Sequence, residues 1–213
     1  MTVKKCFYRL PSAYMQTIIP LLFAVVMGMG HAFEPDHLLA VSTLVARHDE
    51  LRAALKNGLF WGLGHTTMLV IFGGLLIFGR ATFLQSGYFE AVVGLMLIGL
   101  GTSRLLDKNS YQPAPPSKQR ARFAYTVGLV HGLAGSGALV LLAMSAIPSP
   151  LGAIAYILVF GLGSVLGMLA AVSLMRIPFT PRMRLGRRLR ASAVVLSSVL
   201  SVGYGGWMVW THV

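Results

Sequence analysis

The chain has 213 residues, 55% of them hydrophobic and only 11% charged, with a mean hydropathy of +0.71. A soluble domain carries about 25% charged residues, so this composition excludes an ordinary water-soluble globule and points to a membrane protein. The formal net charge of +12 does not imply nucleic acid as a partner, because the basic residues gather in connectors between apolar stretches and not along an amphipathic face.

A bilayer core about 30 Å thick needs roughly 20 apolar residues per helix. On that measure the chain divides into six spans, at approximately residues 17–45, 57–79, 88–106, 123–147, 151–175 and 191–211. Ahead of the first, Lys4, Lys5 and Arg9 resemble the basic start of a signal peptide. The apolar run that follows is too long for one and its small-residue cleavage pattern is poor, so an uncleaved span is expected. The single cysteine, Cys6, excludes an internal disulfide framework. Spans two, four, five and six contain no Asp, Glu, Lys or Arg, and span three carries Glu90 and Arg104 near its ends, where a charge reaches the headgroups.

Residues 107–122 hold Pro113, Pro115 and Pro116 and read as a polar, extended connector, and residues 176–190 hold six arginines. The connectors after spans one, three and five carry 14 of the 18 Lys and Arg residues, counting Arg104. By the positive-inside rule those connectors are cytoplasmic and both termini lie outside, which for a bacterial inner membrane is the periplasm. Trp207 and Trp210 read as interfacial anchors.

The two halves resemble each other. A shift of one hundred residues lays Gly28-x-x-His31 on Gly128-x-x-His131 and Leu39 on Leu139. A shift one residue shorter lays Gly62-Leu-Gly64-His65 on Gly161-Leu-Gly163-Ser164. With three spans per half the second copy must be inverted, so the expected fold is an all-α polytopic membrane protein of six helices in two inverted three-helix repeats. The repeats cover residues 1–106 and 123–213, with the cytoplasmic connector 107–122 between them. Inverted repeats around a midplane site recur in transporters, and interrupted helices in them point to the binding site. Where the first copy has Glu34, Pro35, Asp36 and His37, the second has Ala134, Gly135, Ser136 and Gly137.

The chemistry concentrates in span one, at His31-Ala-Phe-Glu34-Pro35-Asp36-His37. Ionisable groups at membrane depth are rare and mark ion pathways, and imidazole with carboxylate is a donor set for divalent transition metals. Pro35 has no N–H and clashes with the carbonyl four residues back, that of His31, so the helix is expected to kink or open there. On an unbroken helix His31, Glu34 and His37 share a face and Asp36 points about 100° away from His37. A disturbed helix lets either carboxylate turn inward, and spacing alone does not choose between them. His37 lies eight residues before the end of span one, and His65 and His131 lie eight residues into spans two and four. All three therefore sit about 12 Å below the same face. His48 and His212 read as solvated, the methionines as packing, and Gly132, Gly135 and Gly137 as helix-packing positions.

The string His31-x4-Asp36-His37 resembles the signature of the nickel/cobalt permease superfamily. The longer strings Gly28-x-x-His31-x-x-Glu34-Pro-Asp-His37-Leu-Leu-Ala, Trp61-Gly-Leu-Gly-His65-Thr, Gly128-x-x-His131-Gly-Leu-Ala-Gly-Ser-Gly-Ala-Leu and Phe160-Gly-Leu-Gly-Ser-x-x-Gly-Met168 are similar to its compact urease-accessory branch. The eight-span permeases carry a further leading helix, whose lack fits an outside N-terminus. A histidine-rich loop common in exporters has no counterpart in residues 107–122, which favours uptake.

The resemblance implies a permease for Ni2+ or Co2+ that supplies metalloenzymes such as urease, with the metal as substrate and no prosthetic group. His31, Asp36 and His37 are the expected primary ligands, His65 and His131 complete or gate the site, and Glu34 is a reserve ligand or proton acceptor. The expected partners are the metal ion, the bilayer, and a metallochaperone or second membrane subunit. The competing readings are an exporter of metal or of a small anion such as sulfite, and a membrane-embedded metal-dependent hydrolase with Glu34 as base. A non-transporting accessory subunit is a third. No arginine lies deep in a span to hold an anion, and the repeat favours transport over catalysis.

Overall fold

Proline decides where the first apolar stretch breaks. The structure, a computed structural model, describes residues 12–45, 51–79, 87–106, 117–134, 147, 149–177 and 187–213. Helix α1 spans Ser12–His31 and helix α2 spans Pro35–Val45. Because Pro35 cannot donate to the His31 carbonyl, Glu34 N donates to it instead (3.1 Å), just after Phe33 N donates to the Gly30 carbonyl (2.9 Å). Pro35 then opens α2 at its first position, where a missing N–H is harmless. Leu38 N donates to the Glu34 carbonyl (3.0 Å), beginning the new ladder. The segments Ile18–His31 and Pro35–Ser42 meet at 51°. The expected first span is therefore a bent pair.

Helix α3 covers Leu51–Gly79, α4 Tyr88–Leu106, α5 Ser117–His131, α6 Pro150–Arg176 and α7 Arg187–His212. The start of α6 follows from local chemistry: the Ser149 side chain accepts from Gly152 N (3.1 Å) and Pro150 takes the first helical position. Among the described residues all regular structure is helical. Among the described residues four helices (α3, α4, α6 and α7) are long and apolar enough to cross a bilayer, and the bent pair passes the same test as one unit. This is what a polytopic membrane protein requires. Exposed Ile18, Leu22 and Val26 on α1 and Leu158, Leu162 and Leu166 on α6 form outer faces suited to lipid.

Four expected boundaries need correction. Residues 117–122, expected in an extended connector, form the first turns of α5, because Lys118, Gln119, Arg120 and Ala121 are good helix formers once Pro116 is passed. For the same reason residues 51–56, which include Arg52 and Lys56, and the arginine-rich residues 187–190 are helical at the starts of α3 and α7. The fourth stretch, expected to run through residues 123–147, stops being helical at His131 and turns through residues 132–134. Residues 135–146 lie outside the described residues, as do Cys6, Lys4, Lys5, Arg9, His48, Gly135 and Gly137.

The helices pair as α1 with α6, α5 with α3, α3 with α6 and α4 with α7, while α2 reaches α4, α6 and α7. Two glycines allow the first two crossings. A Cβ on Gly28 would collide with the Phe160 carbonyl oxygen and lie 2.9 Å from Ser164 N. One on Gly128 would collide with the Trp61 carbonyl oxygen and lie 2.9 Å from His65 N. These are the same two contacts, displaced by one hundred residues on one helix and ninety-nine on the other. The ends of α1 and α5 match as well, since Leu133 N donates to the Val130 carbonyl (3.1 Å) as Phe33 N does to that of Gly30.

Candidate metal centre

The two helix breaks place chemistry side by side. His31 is the last residue of α1, Asp36 and His37 stand in the first turn of α2, His65 is mid-way along α3, and His131 ends α5. The ring centroids of His31 and His37 are 4.5 Å apart, those of His31 and His65 5.2 Å, those of His37 and His65 5.3 Å, and those of His37 and His131 4.8 Å. His37, His65 and His131 are fully enclosed. On a straight helix, residues six apart would be separated by about 9 Å along the axis. The turn at 32–34 is what lets His31 reach His37.

The hydrogen bonds assign the ring tautomers. His31 Nδ1 lies 2.9 Å from Glu34 Oε1, His37 Nδ1 3.1 Å from Asp36 Oδ1, and His131 Nδ1 3.3 Å from the Val127 carbonyl oxygen. Carboxylates and carbonyls accept, so each Nδ1 donates and each Nε2 keeps its lone pair; this assignment comes from the bonding network. Nε2 of His31, His37, His65 and His131, together with His65 Nδ1, is buried and makes no hydrogen bond among the described residues. Leaving such an atom unsatisfied costs about 1–3 kcal/mol each. A set of buried nitrogens held in this form suits a ligand that accepts lone pairs.

Of the two carboxylates, Asp36 is the one among the rings: it bonds His37 and its Oδ2 lies 4.0 Å from His131 Nε2, with only 13% of its side chain exposed. Glu34, 54% exposed, stands at the outer edge, bonded to His31. Among the described residues two groups could hold a metal ion, each with ligand atoms within 4.8 Å of one another: His31, His37 and His65, and Asp36, His37 and His131. All six residues singled out from the sequence thus lie in or against one cluster. His212 does not, being at the end of α7 with Nδ1 2.9 Å from the Met208 carbonyl oxygen.

Sequence reasoning missed two aromatic walls. The Trp61 ring lies 5.6 Å from that of His37 and 5.7 Å from that of His131, and Phe160 lies 5.6 Å from His31. Their signal was present: each stands just before the glycine of the repeated Gly-Leu-Gly strings, at a shift of ninety-nine. Ser164, the counterpart of His65, is fully buried with Oγ unpartnered among the described residues.

No family model and no solved structure matches this chain. It is 28% identical over 159 residues to chloroplast protein FOR GROWTH AND FERTILITY 1 of Arabidopsis thaliana, covering 63% of this chain and 43% of that one. It is 27% identical over 152 residues to FOR GROWTH AND FERTILITY 2 of the same plant, covering 63% and 40%. The chain thus spans less than half the length of these two relatives. With the urease accessory protein UreH of Bacillus sp. (strain TB-90) it shares 38% identity over 176 residues, 75% of this chain and 77% of that one. A match of that depth and extent puts this chain in the family of the urease accessory protein UreH.

Proposed function

We propose that this chain is a membrane permease that takes up Ni2+ or Co2+ by alternating access between two inverted three-helix halves, and so supplies metal to an enzyme such as urease. The observation that carries the reading is the convergence of four imidazoles, three of them fully buried and all with Nε2 unpartnered among the described residues, with Asp36 at the point where α1 and α5 both stop. Imidazole and carboxylate suit first-row divalent ions, and interrupted helices facing a central site are the design of inverted-repeat carriers. The paired contacts of Gly28 and Gly128 support the repeat. The urease-accessory name of the relative supports nickel as cargo. In this reading the residues act as carrier ligands and not as a hydrolase: Glu34, the only base a hydrolase was expected to use, is engaged with His31 at the edge. The charge distribution supports an inner-membrane orientation with periplasmic termini, and a metallochaperone or second membrane subunit would receive the ion.

The direct test is the nickel content of cells lacking their own nickel importers, with and without this chain. A gain supports uptake, an unchanged content contradicts transport, and a loss means export. The site also predicts a pH dependence. Imidazole must be neutral to bind metal, so uptake should be full near pH 8 and fall as pH drops through the histidine range towards pH 5. A flat profile contradicts histidine ligation. Pro35→Ala restores a donor for the His31 carbonyl and favours one continuous helix. It should lower uptake by about tenfold while the protein stays folded, because moving His31 by an ångström or more spoils a ligand set. Wild-type uptake in that variant would separate the bend from the function.

A further inference from the structure

The donor groups form two triads, not one. His31, His37 and His65 come together from α1, α2 and α3, while Asp36, His37 and His131 come together from α2 and α5, and His37 alone belongs to both. Building on the transport reading above, we infer that the cluster holds two successive subsites for one divalent transition-metal ion, joined at His37, so that the ion changes its other ligands without leaving that residue.

The two triads differ in the ways a transfer needs. The first offers only imidazoles, and its His31 is the partly exposed member (10%), bonded to a Glu34 side chain that is 54% exposed. It is the triad that communicates with the surroundings. The second lies wholly among buried residues and adds a carboxylate, with Asp36 Oδ2 4.0 Å from His131 Nε2. An ion moving from the first to the second exchanges neutral donors for an anionic one and becomes enclosed. The 4.8 Å ring separation of His37 and His131 and the 4.5 Å separation of His31 and His37 keep both steps short. Two dications this close would repel strongly, so the subsites are occupied one at a time. The walls fit the same division, with Phe160 against His31 in the first triad and Trp61 against His131 in the second.

Cobalt binding to the purified full chain in detergent tests this, read by visible absorption, by X-ray absorption for ligand type, and by titration. The wild type should bind one Co2+ per chain. His131→Ala should retain a site of imidazole donors, and His65→Ala a site that includes a carboxylate. Each should weaken affinity by about tenfold, the scale on which single contributors to metal sites act. His37→Ala should lose both sites. His131→Ala should also bind Ni2+ yet fail to carry it across a liposome membrane. The glutamine variants of His65 and His131, with gel filtration as the check on folding, repeat the comparison if the alanine variants do not fold. Identical residual spectra in the two single variants, or loss of binding in either as complete as in His37→Ala, would overturn the two-subsite inference and leave a single-site carrier intact. A wild type that binds no Co2+ or Ni2+ would instead overturn the transport reading itself.

Discussion

His37→Ala is expected to weaken the binding of Ni2+ or Co2+ by at least about 100-fold, roughly 2.7 kcal/mol. His37 is the shared member of both possible ligand groups, and its ring packs against those of His31, His65, His131 and Trp61. The substitution removes a donor from each group. It also strips Asp36 of its Nδ1–H partner, leaving a buried carboxylate short of a hydrogen bond. Titration calorimetry of the purified protein measures the effect. His212→Ala, remote from the cluster and bonded to Met208, should bind as the wild type does. Affinity within a few-fold of wild type in His37→Ala would remove the cluster from metal binding.

The second large effect is on stability. In Gly128→Ala the new methyl meets the Trp61 carbonyl oxygen and the His65 amide, and in Gly28→Ala it meets the Phe160 carbonyl oxygen and the Ser164 amide. The obstructing atoms are backbone, so no rotamer change relieves the collision and the helices must part. Overpacking of this kind costs about 1–3 kcal/mol or more, and at roughly 2–4 °C per kcal/mol for a chain of this size the melting temperature should fall by several degrees. The control is internal. At Gly30 and Gly74 a methyl group would meet nothing within 4 Å, so alanine there should be neutral or stabilising through its better helix propensity. Thermal unfolding of the four variants in one detergent decides it. Equal melting temperatures would mean that α1 and α5 do not cross their partners at these glycines.

What the sequence made legible follows physical lines. The bounds of α4 coincide with the apolar stretch 88–106, and those of α6 lie within a residue of theirs, because apolar runs of that length, with charges at most near their ends, have one stable solution in lipid. The break at Pro35 was legible because proline removes a specific donor. The break after His131 was not: no proline marks it, and Gly132 resembles the many glycines that sit inside helices here. Apolarity reports where a chain can enter a bilayer and not where a helix begins, which is why the charge-bearing first turns of α3, α5 and α7 read as connectors. Equal depth already suggested His37, His65 and His131 as neighbours. The choice between Glu34 and Asp36 depended on the turn at 32–34, which carries Asp36 in among the rings and leaves Glu34 at the edge. The repeated string flags Trp61 as a matched position, but its place against His131 comes from the α3–α5 crossing, which no local pattern encodes.

The central claim is that this chain itself moves a divalent metal ion through the histidine cluster, and flux into proteoliposomes tests it most directly. Purified wild type and His37→Ala are reconstituted at equal density, and entry of radiolabelled Ni2+ is followed down an imposed gradient. The account predicts saturable entry with the wild type and the rate of protein-free liposomes with the variant. Entry no faster than in protein-free liposomes for both, or equal entry for both, would contradict it.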